Sequence, residues 1–168
     1  MEEIWMQMPQ VQILEKEELR LVGFSVSDSL NNIVKSNIVG ILREELVNRK
    51  NEIPGKKEDD LYLIQLYPEG MWTPDVPYTH IVGFEVSEYG DTPSGMIKHC
   101  VPPGNYAEFV HRGPETSIGS TYDLINEWLE KNGHGGPRPF DIELWRNIDT
   151  LENDDSAIDI YVPIKASI

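Results

Sequence analysis

The sequence predicts an α+β domain made of two βαββ units in tandem, with a mostly antiparallel sheet and one helix per repeat. Three observations lead there. Short alternating, strand-like segments surround a single helical stripe. That strand–helix–strand–strand order occurs twice, roughly 80 residues apart, which marks a duplication and not a solenoid. One segment also aligns position by position between the repeats: Tyr62-Leu63-Ile64-Gln65-Leu66-Tyr67 against Phe140-Asp141-Ile142-Glu143-Leu144-Trp145.

The elements follow from local signals. After a polar start at Val11, residues 19–26 (LRLVGFSV) read as a strand. Ser27, Asp28 and Ser29 are good helix N-caps. Leu30, Val34, Ile38, Leu42 and Leu46, with Ile33 and Ile41 beside them, then recur at helical spacing. Pro54-Gly55 ends that helix, and residues 56–60 read as a charged loop. Residues 62–67 and 80–86 read as strands, separated by a proline-bounded loop that carries Trp72. Residues 90–104 read as the connection between halves. In the second half, residues 106–111 form a strand, and Ile118, Tyr122, Ile125 and Leu129 a helical stripe with Trp128 alongside. Asn132-Gly133 is a C-cap, and strands follow at 140–145 and 158–164. The expectation is one domain over residues 1–168, with pseudo-repeats at about 11–90 and 101–168.

Composition narrows the function classes. Fourteen basic against 29 acidic side chains give a net charge of −15. So acidic a chain is not expected to grip nucleic acid, which requires a basic face. Cys100 is the single cysteine, so no intramolecular disulfide can form, as suits a reducing cytoplasm. Residues 1–10 lack the basic and apolar regions of a secretory signal. No apolar run reaches the roughly 18 residues that span a bilayer. The histidines His80, His99, His111 and His134 make no metal motif. No nucleophile elbow or phosphate loop is present. Neither cofactor nor metal is expected.

The residues 140–145 carry the strongest functional signal. Alternation puts Glu143 and Trp145 on one face and Phe140, Ile142 and Leu144 on the other. On the last strand, Asp159 and Tyr161 alternate with Ile158, Ile160 and Val162. If the branched aliphatics face the helices, the other sheet face is free, and Glu143, Trp145, Asp159 and Tyr161 share it with Gln65 and Tyr67. A carboxylate among rings suits a cationic organic ligand, each ring contributing about 0.5–2 kcal/mol of cation–π attraction. An ordinary solvated face carries the same pattern. Trp72 reads as a loop anchor or a pocket lid, and Tyr106 as pocket wall or edge packing.

Residues 101–109 (VPPGNYAEF), 121–129 (TYDLINEWL), 140–145 (FDIELW) and 160–164 (IYVPI), in this order and spacing, resemble the GyrI-like family, also known as the bacterial transcription-activator effector-binding domain. The resemblance covers nearly the whole chain and is strongest from about residue 100. It implies a curved sheet of duplicated βαββ units (SHS2-type repeats) with a central cleft. In multidrug-sensing members, a buried glutamate on the penultimate strand pairs with cationic lipophilic ligands among aromatic rings. Glu143 matches that glutamate, and Trp145 and Tyr161 match flanking aromatic positions. Other members inhibit gyrase, and some hydrolyse cyclopropane-bearing genotoxins with a glutamate. The first helix here lacks the tryptophan commonly found around residues 39–42, and the DNA-binding domain that regulators carry is not expected here.

The expectation is therefore a stand-alone cytoplasmic domain that captures amphipathic, cationic or electrophilic small molecules. Glu143 would be the anchor, Trp145 and Tyr161 walls, and Trp72, Tyr106 and Gln65 secondary contacts. A hydrolase using Glu143 and an interaction protein that engages a topoisomerase are the alternatives.

Overall fold

A computed structural model describes residues 11–165; the decapeptide read above as lacking a secretory signal lies outside them. Eight strands and three helices follow in order: β1 (Gln12–Lys16), β2 (Leu19–Asp28), α1 (Leu30–Ser36), α2 (Ile38–Asn48), β3 (Lys56–Leu66), β4 (Tyr78–Val86), β5 (Ile97–Val101), β6 (Gly104–Arg112), α3 (Ile118–Lys131), β7 (Phe140–Trp145) and β8 (Ala157–Ile164). The strands form one sheet in the order β1-β6-β8-β7-β3-β4-β2-β5, and every adjacent pair is antiparallel.

This order is a duplication seen edge-on. The halves meet at β7 and β3, where Ile64 pairs with Ile142, the residue that the sequence alignment sets opposite it. Each half also lends its first strand to the other. β1 pairs with β6, and β5 pairs with β2. Yet only residues 17 and 18 separate β1 from β2, and only 102 and 103 separate β5 from β6. Three Cα–Cα steps reach at most about 11 Å. The two ends of the sheet must therefore come that close, so the sheet curls almost into a barrel.

The curl creates two cores. Leu61, Leu63, Val82, Phe84, Phe109, Trp145, Ile158 and Ile160 pack beneath the helices with Leu46, Ile125 and Leu129. Leu19, Leu21, Ile64, Ile81, Tyr106, Ile142, Leu144 and Tyr161 fill the inside of the curl with no helical residue among them. The expectation of a free sheet face is thus corrected: both faces are packed.

Three local expectations change as well. The first helix breaks at Asn37, whose φ of 55° is left-handed. Asparagine is the non-glycine residue that adopts this state most readily. The Asn37 N–H caps the Ile33 carbonyl of α1, and Asn37 also opens α2. The break turns the apolar stripe partly outward, leaving Val34 74% and Ile41 51% exposed. Residues 56–60, read as a loop, begin β3, which is irregular between Lys56 and Leu61. The connection 90–104 contains β5.

Close strand approach explains the pairing of Gly23 with Gly83. A Cβ on Gly23 would lie 1.8 Å from the Val82 carbonyl oxygen and 2.6 Å from the Gly83 Cα, both immovable backbone. Gly119, in the first turn of α3, faces open space. The expected outcome is that Gly23→Ala costs several kcal/mol or the fold itself, whereas Gly119→Ala is neutral or stabilises by up to about 1 kcal/mol. Thermal melts of the two variants check this. Equal melting shifts would contradict the close approach.

Candidate functional site

The register of the central strands decides which side chains meet. Glu143 lies opposite Leu63 on β3 and Ile160 on β8, and Trp145 opposite Leu61 and Ile158. All four partners belong to the core beneath the helices. Glu143 and Trp145 therefore point toward the helices, as do Gln65, Asp141, Tyr78 and His80, which occupy in-phase positions of neighbouring strands.

Glu143 is 4% exposed and receives three hydrogen bonds. The Trp145 indole Nε1–H donates to Oε1 at 3.1 Å. The Tyr122 hydroxyl, from α3, donates to Oε2 at 2.6 Å. The Gln65 amide nitrogen donates to Oε2 at 3.2 Å and lies 3.0 Å from the Tyr122 oxygen. The Tyr78 hydroxyl approaches the Gln65 carbonyl oxygen at 3.4 Å. None of these donors is charged, and no described residue forms an ion pair with Glu143. Burial raises its pKa to about 7; the Tyr122 and Trp145 hydrogen bonds oppose this, and the charges of Glu115 and Asp141 add to it. Desolvation outweighs the neutral donors.

Asp141 is a useful contrast. It is fully buried, but Arg138 grips it through two nitrogens at 2.5 and 2.9 Å, and the Tyr67 hydroxyl donates at 2.6 Å. One buried carboxylate on this face thus has its cation within the chain, and its neighbour does not.

Aromatic rings continue from this network. Tyr67 stacks on Tyr78 with centroids 5.5 Å apart, and Trp72 meets both edge-on at 5.9 and 5.6 Å. His80 lies 4.0 Å from the Tyr78 ring, and burial lowers its pKa to about 4. Across the site, the Arg43 guanidinium of α2 sits 4.5 Å over the Trp145 ring. It also forms a two-pronged pair with Glu115, at 2.8 and 3.1 Å, just before α3. A helix of the first half and the approach to a helix of the second are thus tied together above Trp145. A cavity of about 380 Å³, lined by Arg43, Gly40, Val47 and Ile148 among others, opens beside this tie.

Three residues expected at the site lie elsewhere. Tyr161 pairs with Glu108 and Ile142 and joins the core inside the curl, so it shares no face with Glu143. The Lys16 ammonium sits 4.1 Å over its ring, at a 510 Å³ cavity near the close approach of the sheet ends. Asp159 is on that same inner side and pairs with Arg146. Tyr106 is 2% exposed in the inner core near Phe140. The expectation placing Tyr161 and Asp159 beside Glu143 fails because Glu143 pairs with Ile160, one residue out of phase. Trp72 and Gln65 do lie in the Glu143 neighbourhood. Sequence reasoning placed Tyr122 only in a core stripe and found no metal motif at His80, and it left out Tyr78 and Arg138. Tyr122 carried a usable signal: a phenol in a stripe that faces a sheet needs a buried partner.

Among the described residues, no three His, Cys, Asp or Glu side chains cluster to hold a metal ion, and no helix is long and apolar enough to cross a membrane.

The raised pKa of Glu143 has a definite stability sign. Its folded value, about 7, lies above the ordinary carboxylate value. The favoured protonated form is fully present below the unfolded pKa, and stability is lost as pH rises toward 7. At pH 8 this cost is on the order of 3 kcal/mol. In Glu143→Gln the cost is absent. The melting temperature of Glu143→Gln relative to the native chain should therefore climb by roughly 5–10 °C between pH 4.5 and 8, whatever constant offset the amide introduces. Parallel melting curves would show that the carboxylate titrates normally.

The chain is 27% identical over 154 residues to the transcriptional regulator BrlR of Pseudomonas aeruginosa, with 90% of this chain and 54% of BrlR covered; it thus spans about half of that relative. Its fold is similar to that of EcmrR in a complex with DNA (TM-score 0.75, 15% identity, 99% of this chain and 61% of that one). It is also similar to SAV2435 bound to tetraphenylphosphonium (TM-score 0.71, 12% identity, 94% of each chain). These likenesses agree with the GyrI-like effector-binding domain that the sequence resembles. With residues 12–164 matching its model, the chain belongs to the Cass2 family of integron-associated effector binding proteins.

Proposed function

We propose that this effector-binding domain captures amphipathic organic cations on the helix-facing side of the sheet, with Glu143 as the charged anchor. The observation that carries this reading is the state of Glu143: a 4% exposed carboxylate, held by three neutral donors and lacking a cation. Burying a charge is costly unless it is paired. An organic cation would supply the missing charge, and Tyr67, Trp72, Tyr78 and Trp145 offer ring faces and edges for its apolar bulk. The fold it shares with a protein bound to tetraphenylphosphonium supports the same ligand class.

Glu143 is deeply buried and Tyr122 partly so, and ligand entry requires movement of what covers the carboxylate. Two coverings are visible: the 67–77 segment carrying Trp72, and the Arg43–Glu115 tie over Trp145.

A second reading, hydrolysis, is favoured by a single observation. A carboxyl group with a pKa near 7 is suited to take a proton from water at neutral pH. Release of a water adduct from a cyclopropane-bearing electrophile at more than one turnover per protein, lost in Glu143→Gln, would establish it.

The binding reading gives a pH dependence with a known sign. A cation prefers the ionised carboxylate, so affinity for tetraphenylphosphonium should rise about tenfold from pH 6 to pH 8. Triphenylphosphine oxide, similar in bulk but uncharged, should bind with no such dependence. Glu143→Gln should weaken tetraphenylphosphonium by about tenfold or more at pH 8 and leave the oxide unchanged. Tryptophan fluorescence titration reads all three. Equal weakening of both probes would overturn charge pairing.

A further inference from the structure

Two polar side-chain atoms among the described residues are buried without a hydrogen-bond partner: Trp72 Nε1 and His80 Nε2. Native structures leave few such groups, and each calls for an explanation. Here the two fall together. Trp72 meets the Tyr78 ring edge-on at 5.6 Å, and His80 lies against the same ring at 4.0 Å. The Tyr78 hydroxyl in turn approaches Gln65, which donates to Glu143. Both orphans are thus packed on one ring, two polar contacts away from the unpaired carboxylate. Elsewhere on this face the polar side chains of Gln65, Tyr67, Tyr122, Asp141 and Trp145 are all bonded.

The chemistry of each atom limits what can satisfy it. An indole N–H donates and cannot accept. Its strong partners are oxygen or nitrogen lone pairs; a ring face is a much weaker acceptor. His80 is uncharged at neutral pH, because burial lowers its pKa to about 4. It therefore sets no second positive charge against a cation, and its Nε2 accepts or donates according to tautomer.

Resting on the cation-binding reading and deepening it, we propose that Trp72 Nε1–H is a second, polar anchor of the ligand site. The preferred effector is then a lipophilic cation that also carries a hydrogen-bond acceptor, such as a carbonyl oxygen, set apart from its charge. Glu143 selects the charge and Trp72 selects the acceptor. The indole is a specificity-determining group, and a purely hydrocarbon cation leaves it unsatisfied. Its edge-on contacts with Tyr67 and Tyr78 hold the indole ring in place.

The test compares two cations that differ at one group: (4-acetylphenyl)triphenylphosphonium and (4-isopropylphenyl)triphenylphosphonium. They match in charge and closely in shape, but only the first offers an acceptor. The native chain should bind the acetyl compound roughly five- to tenfold more tightly, the worth of one net hydrogen bond. Trp72→Phe keeps an aromatic ring and removes the N–H, and should bind the two equally, the acetyl compound losing roughly five- to tenfold more affinity than the isopropyl compound does. Calorimetric titration at pH 8 measures each affinity, and far-ultraviolet circular dichroism checks that the variant is folded. If the variant does not fold, the native chain's preference between the two salts decides alone. Equal affinities in the native chain, or an acetyl preference that survives in Trp72→Phe, would overturn the second anchor while leaving cation capture at Glu143 standing. Failure of both salts to bind the native chain would overturn the cation reading and this inference with it.

Discussion

Two connections of two residues each constrain the whole molecule. β1 and β2 lie far apart in the strand order, as do β5 and β6, yet each pair is joined across a gap that the backbone can span only if the sheet ends nearly touch. The curl that results does more than shape the sheet. It turns one face inward upon itself, where Ile64, Ile142, Leu144, Tyr106 and Tyr161 exclude water without help from a helix. The helices are then left to cover the other face alone. That face is where polar groups have been placed, and it is divided between two short helical layers that meet above the seam of the duplication. The candidate site therefore lies where two half-domains join and not within either.

At that seam, electrostatics sets the terms. Transferring a carboxylate from water into a protein interior costs several kcal/mol even after relaxation. Hydrogen bonds to a charged group return about 1.5–3 kcal/mol each. Trp145, Tyr122 and Gln65 provide three, yet desolvation outweighs them and raises the pKa to about 7. Asp141, two residues away on the same strand, shows the alternative, with Arg138 paired to it through two nitrogens. The contrast matters because it lies within one strand and one environment. The fold can bury a carboxylate together with its cation, and at Glu143 it has buried one without.

Much of this arrangement could be read from the chain. The alternation of residues 140–145, the aliphatic helix-facing side of residues 158–164 and the equivalence of Gln65 with Glu143 all rest on period and composition, which the sequence carries locally. What could not be read was phase between strands. Parity along β7 groups Glu143 with Trp145, and parity along β8 groups Asp159 with Tyr161, but only the pairing register says which groups coincide, and a slip of one residue inverts the answer. Glu143 faces Ile160, and so Tyr161 belongs to the opposite core. The break at Asn37 was hidden for a different reason. The apolar spacing of residues 30–46 runs straight through it, and a single left-handed residue leaves no trace in a periodicity. Tyr122 was visible but misjudged, because its place in the apolar stripe of α3 concealed a hydroxyl that a buried carboxylate requires.

The duplication itself explains why the two halves differ at this point. Gln65 and Glu143 occupy equivalent positions, and the pseudo-symmetry brings them within 3.2 Å of each other. A glutamate in both repeats would set two carboxylates in contact, where like charges cannot both ionise and the pair is driven to share a proton. A glutamine in both would remove the charge. One of each is the combination that retains a single negative charge and also supplies a donor to hold it. The amide is well fitted to that role, since its nitrogen donates toward Glu143 while its oxygen faces the Tyr78 hydroxyl. The asymmetry between the repeats is thus a consequence of their symmetry: where a two-fold axis forces a residue to meet its own equivalent, charge can survive on only one side.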